Sequence, residues 1–137
     1  MSALLKDYKP SETEPFMNPQ QLAYFREKLL GWKTDLQSEA AATVETLQEH
    51  NLNAPDLNDR ASSESDRSIE LRARDRQRKL IYKIDQSLKR IEDGEYGYCE
   101  ETGEPISLQR LEARPIATMS LEAQERHERR EKVYRDD

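Results

Sequence analysis

The chain has one cysteine, two histidines, four glycines and no long apolar run. A single thiol, Cys99, cannot close an internal disulfide, which fits a reducing compartment. No stretch approaches about 18 consecutive apolar residues, so a membrane-spanning helix is excluded. Residues 1–6 lack the basic start and apolar run of a secretory signal, and the expected localisation is cytoplasmic. There is no glycine-rich phosphate loop and no Ser/His/Asp arrangement, and His50 and His127 stand apart in sequence. Hydrophobic residues make up 34% and charged residues 36% of the chain, too little apolar material for a large core. These absences describe a protein that acts on an enzyme rather than as one.

What is present is helical periodicity. Leu22, Phe25, Leu29, Trp32, Leu36, Ala40, Val44 and Leu47 recur in steps of three or four and predict a helix from about Pro19 to His50. Ile69, Ala73, Gln77, Leu80, Ile84, Leu88 and Ile91 predict a second, from about Arg60 to Asp93, with spacings of 4, 4, 3, 4, 4 and 3. That average of about 3.67 residues per turn is closer to a straight pair than to a left-handed supercoil. Each helix would span about 50 Å at about 1.5 Å per residue. Between them, Asn51 to Asp59 carries Pro55 and several Asn and Asp, which is turn chemistry. The expectation is a hairpin of two long helices with Asp56 and Asp59 at its tip.

End signals frame the rest. Asn18-Pro19-Gln20-Gln21 is a helix start, with Asn as N-cap, Pro in the first turn and Gln able to reach back. Asn58 or Asp59 can cap the second helix, and Gly94 fits its end. Gly31 should weaken the first helix by about 1 kcal/mol relative to Ala. Residues 95–118, with Gly97, Gly103, Pro105 and Pro115, read as irregular, and a last helix should run from Ser120 to about Tyr134. The resulting division is an arm and helix start over 1–32, a hairpin over 33–93 with its tip near 52–61, and a small C-terminal region over 94–137.

The formal charge of −6 argues against a general nucleic-acid binder, because phosphate affinity needs a local excess of Lys and Arg. The charge is uneven: residues 66–93 hold nine basic and six acidic side chains, residues 1–65 six and eleven. Arg72, Arg76, Lys79 and Lys83 form a basic stripe at helical spacing. A solvated face paired with Asp75 and Glu70 explains such a stripe; so does a surface for an anion or a protein. Asp56 and Asp59 have a plain role as turn and capping residues and a functional one as carboxylates presented next to a metal ion or a partner's site. Cys99, two residues and Thr102-Gly103 outline half a zinc knuckle, but one cysteine cannot supply four closed ligands.

Four segments carry a family resemblance: Asp56-Leu57-Asn58-Asp59-Arg60-Ala61, Glu70-Leu71-Arg72-Ala73-Arg74-Asp75-Arg76, Gly97-Tyr98-Cys99 and Arg110-Leu111-Glu112-Ala113-Arg114-Pro115. In this order and spacing, over about residues 15–135, the chain resembles the DksA/TraR family of bacterial transcription factors. The resemblance implies a mainly α fold, a long antiparallel two-helix coiled coil projecting from a small globular domain, with a zinc-finger-like region and a C-terminal helix. It also implies direct binding to RNA polymerase as a monomer, insertion of the coil into the secondary channel, and control of initiation, including at rRNA promoters, together with the alarmone ppGpp. Neither specific DNA binding nor a membrane enters into it.

The family's four zinc cysteines fall on Cys99, Thr102, Ser120 and Ala123, so three ligands are missing. The chain therefore resembles the zinc-independent DksA paralogues, as in Pseudomonas, with no structural zinc and no other metal. Tyr96, Tyr98, Ile106, Leu108, Leu111, Met119 and Leu121 are then expected to hold the knuckle by burial, about 1.5–3 kcal/mol per large residue. By the same resemblance Asp56, Asp59 and Ala61 form the coiled-coil tip, Arg76 docks on polymerase, and Leu80, Lys83, Arg110 and Arg114 bind ppGpp. A further basic position of that surface is Gln124 here. Rival readings are a helical adaptor or scaffold, and a transcript-cleavage elongation factor; one apolar stripe per helix favours the monomeric hairpin over a dimer.

Overall fold

The computed structural model describes residues 7–52 and 57–136, and the side chains of 43, 44, 46–52, 57–63 and 134–136 are outside that description. The fold is mainly α. Among the described residues four helices follow in order: α1 Pro19–Leu52, α2 Leu57–Asp93, α3 Leu108–Ala113 and α4 Leu121–Asp136. No helix among the described residues is long and apolar enough to cross a membrane.

The helix ends obey local chemistry. Asn18 Oδ1 accepts from the N–H groups of Gln20 and Gln21 at 2.9 and 3.0 Å, and Gln21 Oε1 reaches back to the N–H of Met17 at 2.8 Å. Met17 itself has φ 52° and is buried. α2 ends at Gly94, whose φ of 75° lets Glu95 and Tyr96 donate back to the Arg90 carbonyl. α2 begins at Leu57, earlier than the capping pattern suggested, so Asn58 and Asp59 lie inside the first turn instead of capping it. α3 interrupts the stretch expected to be irregular: Ser107 Oγ accepts from Arg110 N at 3.2 Å, and Leu108 and Leu111 go into the core.

The chain forms two compact units, and each is described by itself. The first comprises residues up to Leu29 and from Gln86 onward. Phe25, Leu29, Tyr96, Ile106, Leu111 and Ala123 are almost fully enclosed there, joined by Leu108, Ile116 and Ala117. Phe25 meets Tyr96 with ring centroids 5.6 Å apart, and Phe16 meets Tyr98 edge-on at 5.4 Å. Of the residues expected to hold the knuckle, Tyr98 and Met119 are half-buried and Leu121 is exposed at 57%. Leu121 is therefore not a core residue. It is the first residue of α4, while Ala123 two positions on turns inward.

The second unit runs from Leu30 to Asp85. Lys33 pairs with Asp85 at 2.7 Å, and Gln77 Nε2 donates to Glu39 Oε2 at 3.0 Å, so the two helices run antiparallel. Leu36 and Ile84 are buried, while Trp32, Ala40, Ala73 and Leu80 are half-buried. Ile69 is exposed at 59%, not in the seam. Among the described side chains of α2 the sheltered ones are Glu70, Ala73, Arg74, Gln77, Leu80, Ile81, Ile84, Ser87, Leu88, Arg90 and Ile91. The stripe expected from the spacing is sheltered at Ala73, Gln77, Leu80, Ile84, Leu88 and Ile91 and departs from expectation at Ile69. Glu70 and Ser87 are polar residues that also sit at sheltered positions. Glu70 Oε2 and Gln77 Oε1 are buried and have no hydrogen-bond partner among the described residues.

Candidate functional site

Of the expected tip, Asp56 lies outside the described residues, as do the side chains of Asp59 and Ala61; the backbone of Asp59 and Ala61 is in the first turns of α2. Arg72, Arg76, Lys79 and Lys83 are all exposed and follow each other on one face of α2. The expected pairing of this stripe with Asp75 and Glu70 is not found. Asp75 sits 3.9 Å from Arg78 instead, and none of the four stripe cations has an ion-pair partner among the described residues. The face keeps its positive charge. Leu80, also on α2, is half-buried.

The first unit carries the other candidate positions, held by a tight turn. Gly97 O accepts from Ile106 N at 2.7 Å, Cys99 N donates to Glu104 O at 2.8 Å, and Gly103 N donates to Cys99 O at 2.8 Å. Gly97 is required: its φ is 92°, and a Cβ there would stand 3.0 Å from Met17 Cγ. Glu100 N donates to Thr118 O at 2.8 Å, tying this turn to the segment before α4. Arg90 braces it from α2, donating to the carbonyls of Glu95 and Tyr98 at 3.1 and 2.8 Å and pairing with Glu100 at 2.9 Å. No sequence pattern announced this brace.

Cys99, Thr102, Ser120 and Ala123 stand at the four zinc-knuckle positions. Cys99 is buried. Burial alone would raise its thiol, but the Thr102 hydroxyl and the N–H groups of Ser120, Thr102 and Glu101 outweigh that and lower it to about 7. Both hydroxyls have structural work, since Thr102 Oγ1 accepts from Glu104 N and Ser120 Oγ accepts from Ala123 N, each at 3.2 Å. Ala123 is fully buried and offers no donor atom. One thiol, two engaged hydroxyls and a methyl group do not fit a closed thiolate zinc site. Among the described residues no group of three or more His, Cys, Asp or Glu side chains could hold a metal ion.

The segment around α3 presents Arg110 and Arg114. Arg110 is half-buried and donates through Nε to Met119 O at 2.9 Å, while Arg114 is exposed and ends the helix, its N–H bonded to Arg110 O at 2.7 Å. Gln124 is turned along α4 to Glu128 at 3.1 Å. Lys83 and Leu80 belong to the second unit and Arg110 and Arg114 to the first. Sequence reading missed the cluster behind α3: Lys28 pairs with Glu112 at 2.7 Å and lies 5.9 Å from the Tyr24 ring centre. Nothing in one dimension links residues 84 positions apart. His127 Nε2 lies 3.1 Å from Glu131 Oε1 along α4.

The sequence matches two family descriptions: the N-terminal domain of the DnaK suppressor protein DksA over residues 21–91, and the prokaryotic dksA/traR C4-type zinc finger over residues 94–129. The second match stands although three of the four cysteines are replaced here. The RNA polymerase-binding transcription factor DksA of Caulobacter vibrioides is 70% identical over 131 residues, covering 96% of this chain and 92% of that protein. Its namesake in Escherichia coli K12 is 44% identical over 128 residues, covering 93% and 85%. The structure of the transcription factor DksA2 from Pseudomonas aeruginosa superposes with a TM-score of 0.81 at 41% identity, covering 88% of this chain and 95% of that one. These relatives are named as transcription factors and not as enzymes, in line with the composition.

Proposed function

Because the chain belongs to the DksA family of RNA polymerase-binding transcription factors, we propose that it binds bacterial RNA polymerase directly and modulates transcription initiation, including at rRNA promoters, together with ppGpp. The observation that carries this reading is the 70% identity over 131 residues to a relative named for polymerase binding. In the proposed action the α1–α2 hairpin enters the secondary channel of polymerase and Asp56 and Asp59 act near its active site. Arg76, exposed and without a salt-bridge partner among the described residues, docks on the enzyme, and Lys83, Leu80, Arg110 and Arg114 receive ppGpp. Gln124 removes one positive charge from that set. The protein works as a monomer in the cytoplasm and does so without zinc, a reading supported by the donor set at Cys99, Thr102, Ser120 and Ala123.

The test is direct binding of the purified protein to core RNA polymerase, with transcription from an rRNA promoter measured with and without ppGpp. Saturable binding and a ppGpp-dependent change in initiation are expected. Absence of binding at micromolar protein overturns the reading in favour of an adaptor role.

A further inference from the structure

Glu112 stands midway between Arg110 and Arg114 in the sequence, and it is the carboxylate of that five-residue stretch. A negative charge two positions from each of two arginines opposes anion binding unless something neutralises it. Lys28 does so. Its ammonium lies 2.7 Å from Glu112 Oε2 and also donates to the Glu112 main-chain carbonyl at 3.0 Å. Tyr24 closes the group: burial, a hydrogen bond to Glu112 and the Glu112 charge push its hydroxyl up to about 12. Despite its burial, Glu112 is held below the usual carboxylate range by its bonds to Lys28 and Tyr24 and the charges of Lys28 and Lys9.

We infer that Lys28 is a positioning residue for the anion-binding edge formed by Arg110 and Arg114, acting through Glu112. The inference rests on the reading that these arginines receive the phosphates of ppGpp. α3 has six residues, too few to be a stable helix alone, and its last carbonyls lack intrahelical partners. Lys28 supplies one of those partners and places a cation at the C-terminal end of the helix. Arg114 follows immediately as the C-cap, so the end that Lys28 anchors is the end that carries Arg114. Arg110 is fixed separately by the Met119 carbonyl. Lys28 thus sets where Arg114 is presented and offsets the Glu112 charge carried by the same short segment. It never touches the ligand.

The experiment measures promoter transcription against ppGpp concentration, in the polymerase complex, for wild type, Lys28→Met, Lys28→Arg, Lys28→Met combined with Glu112→Gln, and Arg114→Ala. Lys28→Met should raise the half-maximal ppGpp concentration roughly fivefold, the lower end of coupling between sites, with polymerase affinity unchanged. Lys28→Arg should restore the response. Adding Glu112→Gln to Lys28→Met should recover part of it, because the uncompensated carboxylate is gone. A merely structural role predicts the opposite: the double variant would be no better than Lys28→Met, and the loss would follow melting temperature in every variant. That pattern overturns the inference. If Arg114→Ala impairs the response and Lys28→Met does not, the inference fails and the ppGpp reading stands. If Arg114→Ala has no effect, both fall.

Discussion

The hydroxyl of Tyr96 donates to the main-chain carbonyl of Pro115 at 2.7 Å, inside the core of the first unit. It joins the turn after α2 to the segment after α3. Burial first, and then the charge of Glu112, raise the Tyr96 hydroxyl far above its ordinary range, with Arg90 opposing. The donor therefore keeps its proton across any physiological pH. Phe25 packs against the same ring, so the bond sits within apolar contacts that exclude water.

Tyr96→Phe should destabilise the protein by about 1–3 kcal/mol, the cost of leaving a buried carbonyl unsatisfied. Ring packing on Phe25 is retained, so helix content should not change. Urea unfolding followed by circular dichroism measures this directly. An unchanged midpoint would mean that the Pro115 carbonyl finds another partner and the brace is dispensable.

Treatment with a strong chelator should leave the melting temperature unchanged, and the purified protein should carry no stoichiometric zinc. True structural sites contribute about 10–16 kcal/mol of binding free energy to folding in zinc-finger peptides, and the donors here cannot supply it. Elemental analysis and a melting curve with and without chelator decide the point. One tightly held equivalent of zinc, with unfolding on its removal, would refute the metal-free reading.

Stability should rise between about pH 7 and pH 9. The Cys99 thiol is lowered to about 7 in the folded protein, against about 8.5 in an unfolded chain. A depressed pKa stabilises the fold fully above the unfolded value, and that contribution is lost as pH falls through the folded value. Cys99→Ser should flatten this part of the profile and leave regulation nearly intact. A wild-type profile with the same slope as the serine variant would show that the thiol does not ionise preferentially in the fold.

Asp59→Asn should abolish regulation while leaving polymerase binding close to wild type. Asp59 lies in the first turn of α2, where a carboxylate favours the helix by about 0.3–1 kcal/mol, so the structural cost of the change is small. Competition binding and promoter transcription on the same variant separate the two roles. Parallel loss of both would make Asp59 an anchor instead of an effector.

Local chemistry was readable along the chain wherever one residue governs its own neighbourhood. The Asn18 cap, the Gly94 stop and the Ser120 start each act through hydrogen bonds within a few residues, and each occurs in the structure as expected. α3 was missed because six residues leave no periodicity to detect, although Ser107 with Leu108 and Leu111 was a usable signal. Ile69 was misplaced because apolar character alone does not say which face of a helix is covered. Glu70 and Ser87 are sheltered although their polar side chains gave no sign of it.

The sequence by itself determined two long helices, a single thiol that cannot hold a zinc ion alone, and a basic stripe on α2, since these follow from spacing and residue type. Tertiary structure alone decided that Lys28 neutralises Glu112, that Arg90 braces the turn around Cys99, and that Arg110 is spent partly on the Met119 carbonyl. Two of these are polar contacts between main chain and a side chain, and the third joins residues 84 positions apart. Such pairings leave no periodic trace in composition or spacing, and only the folded backbone brings their atoms within reach.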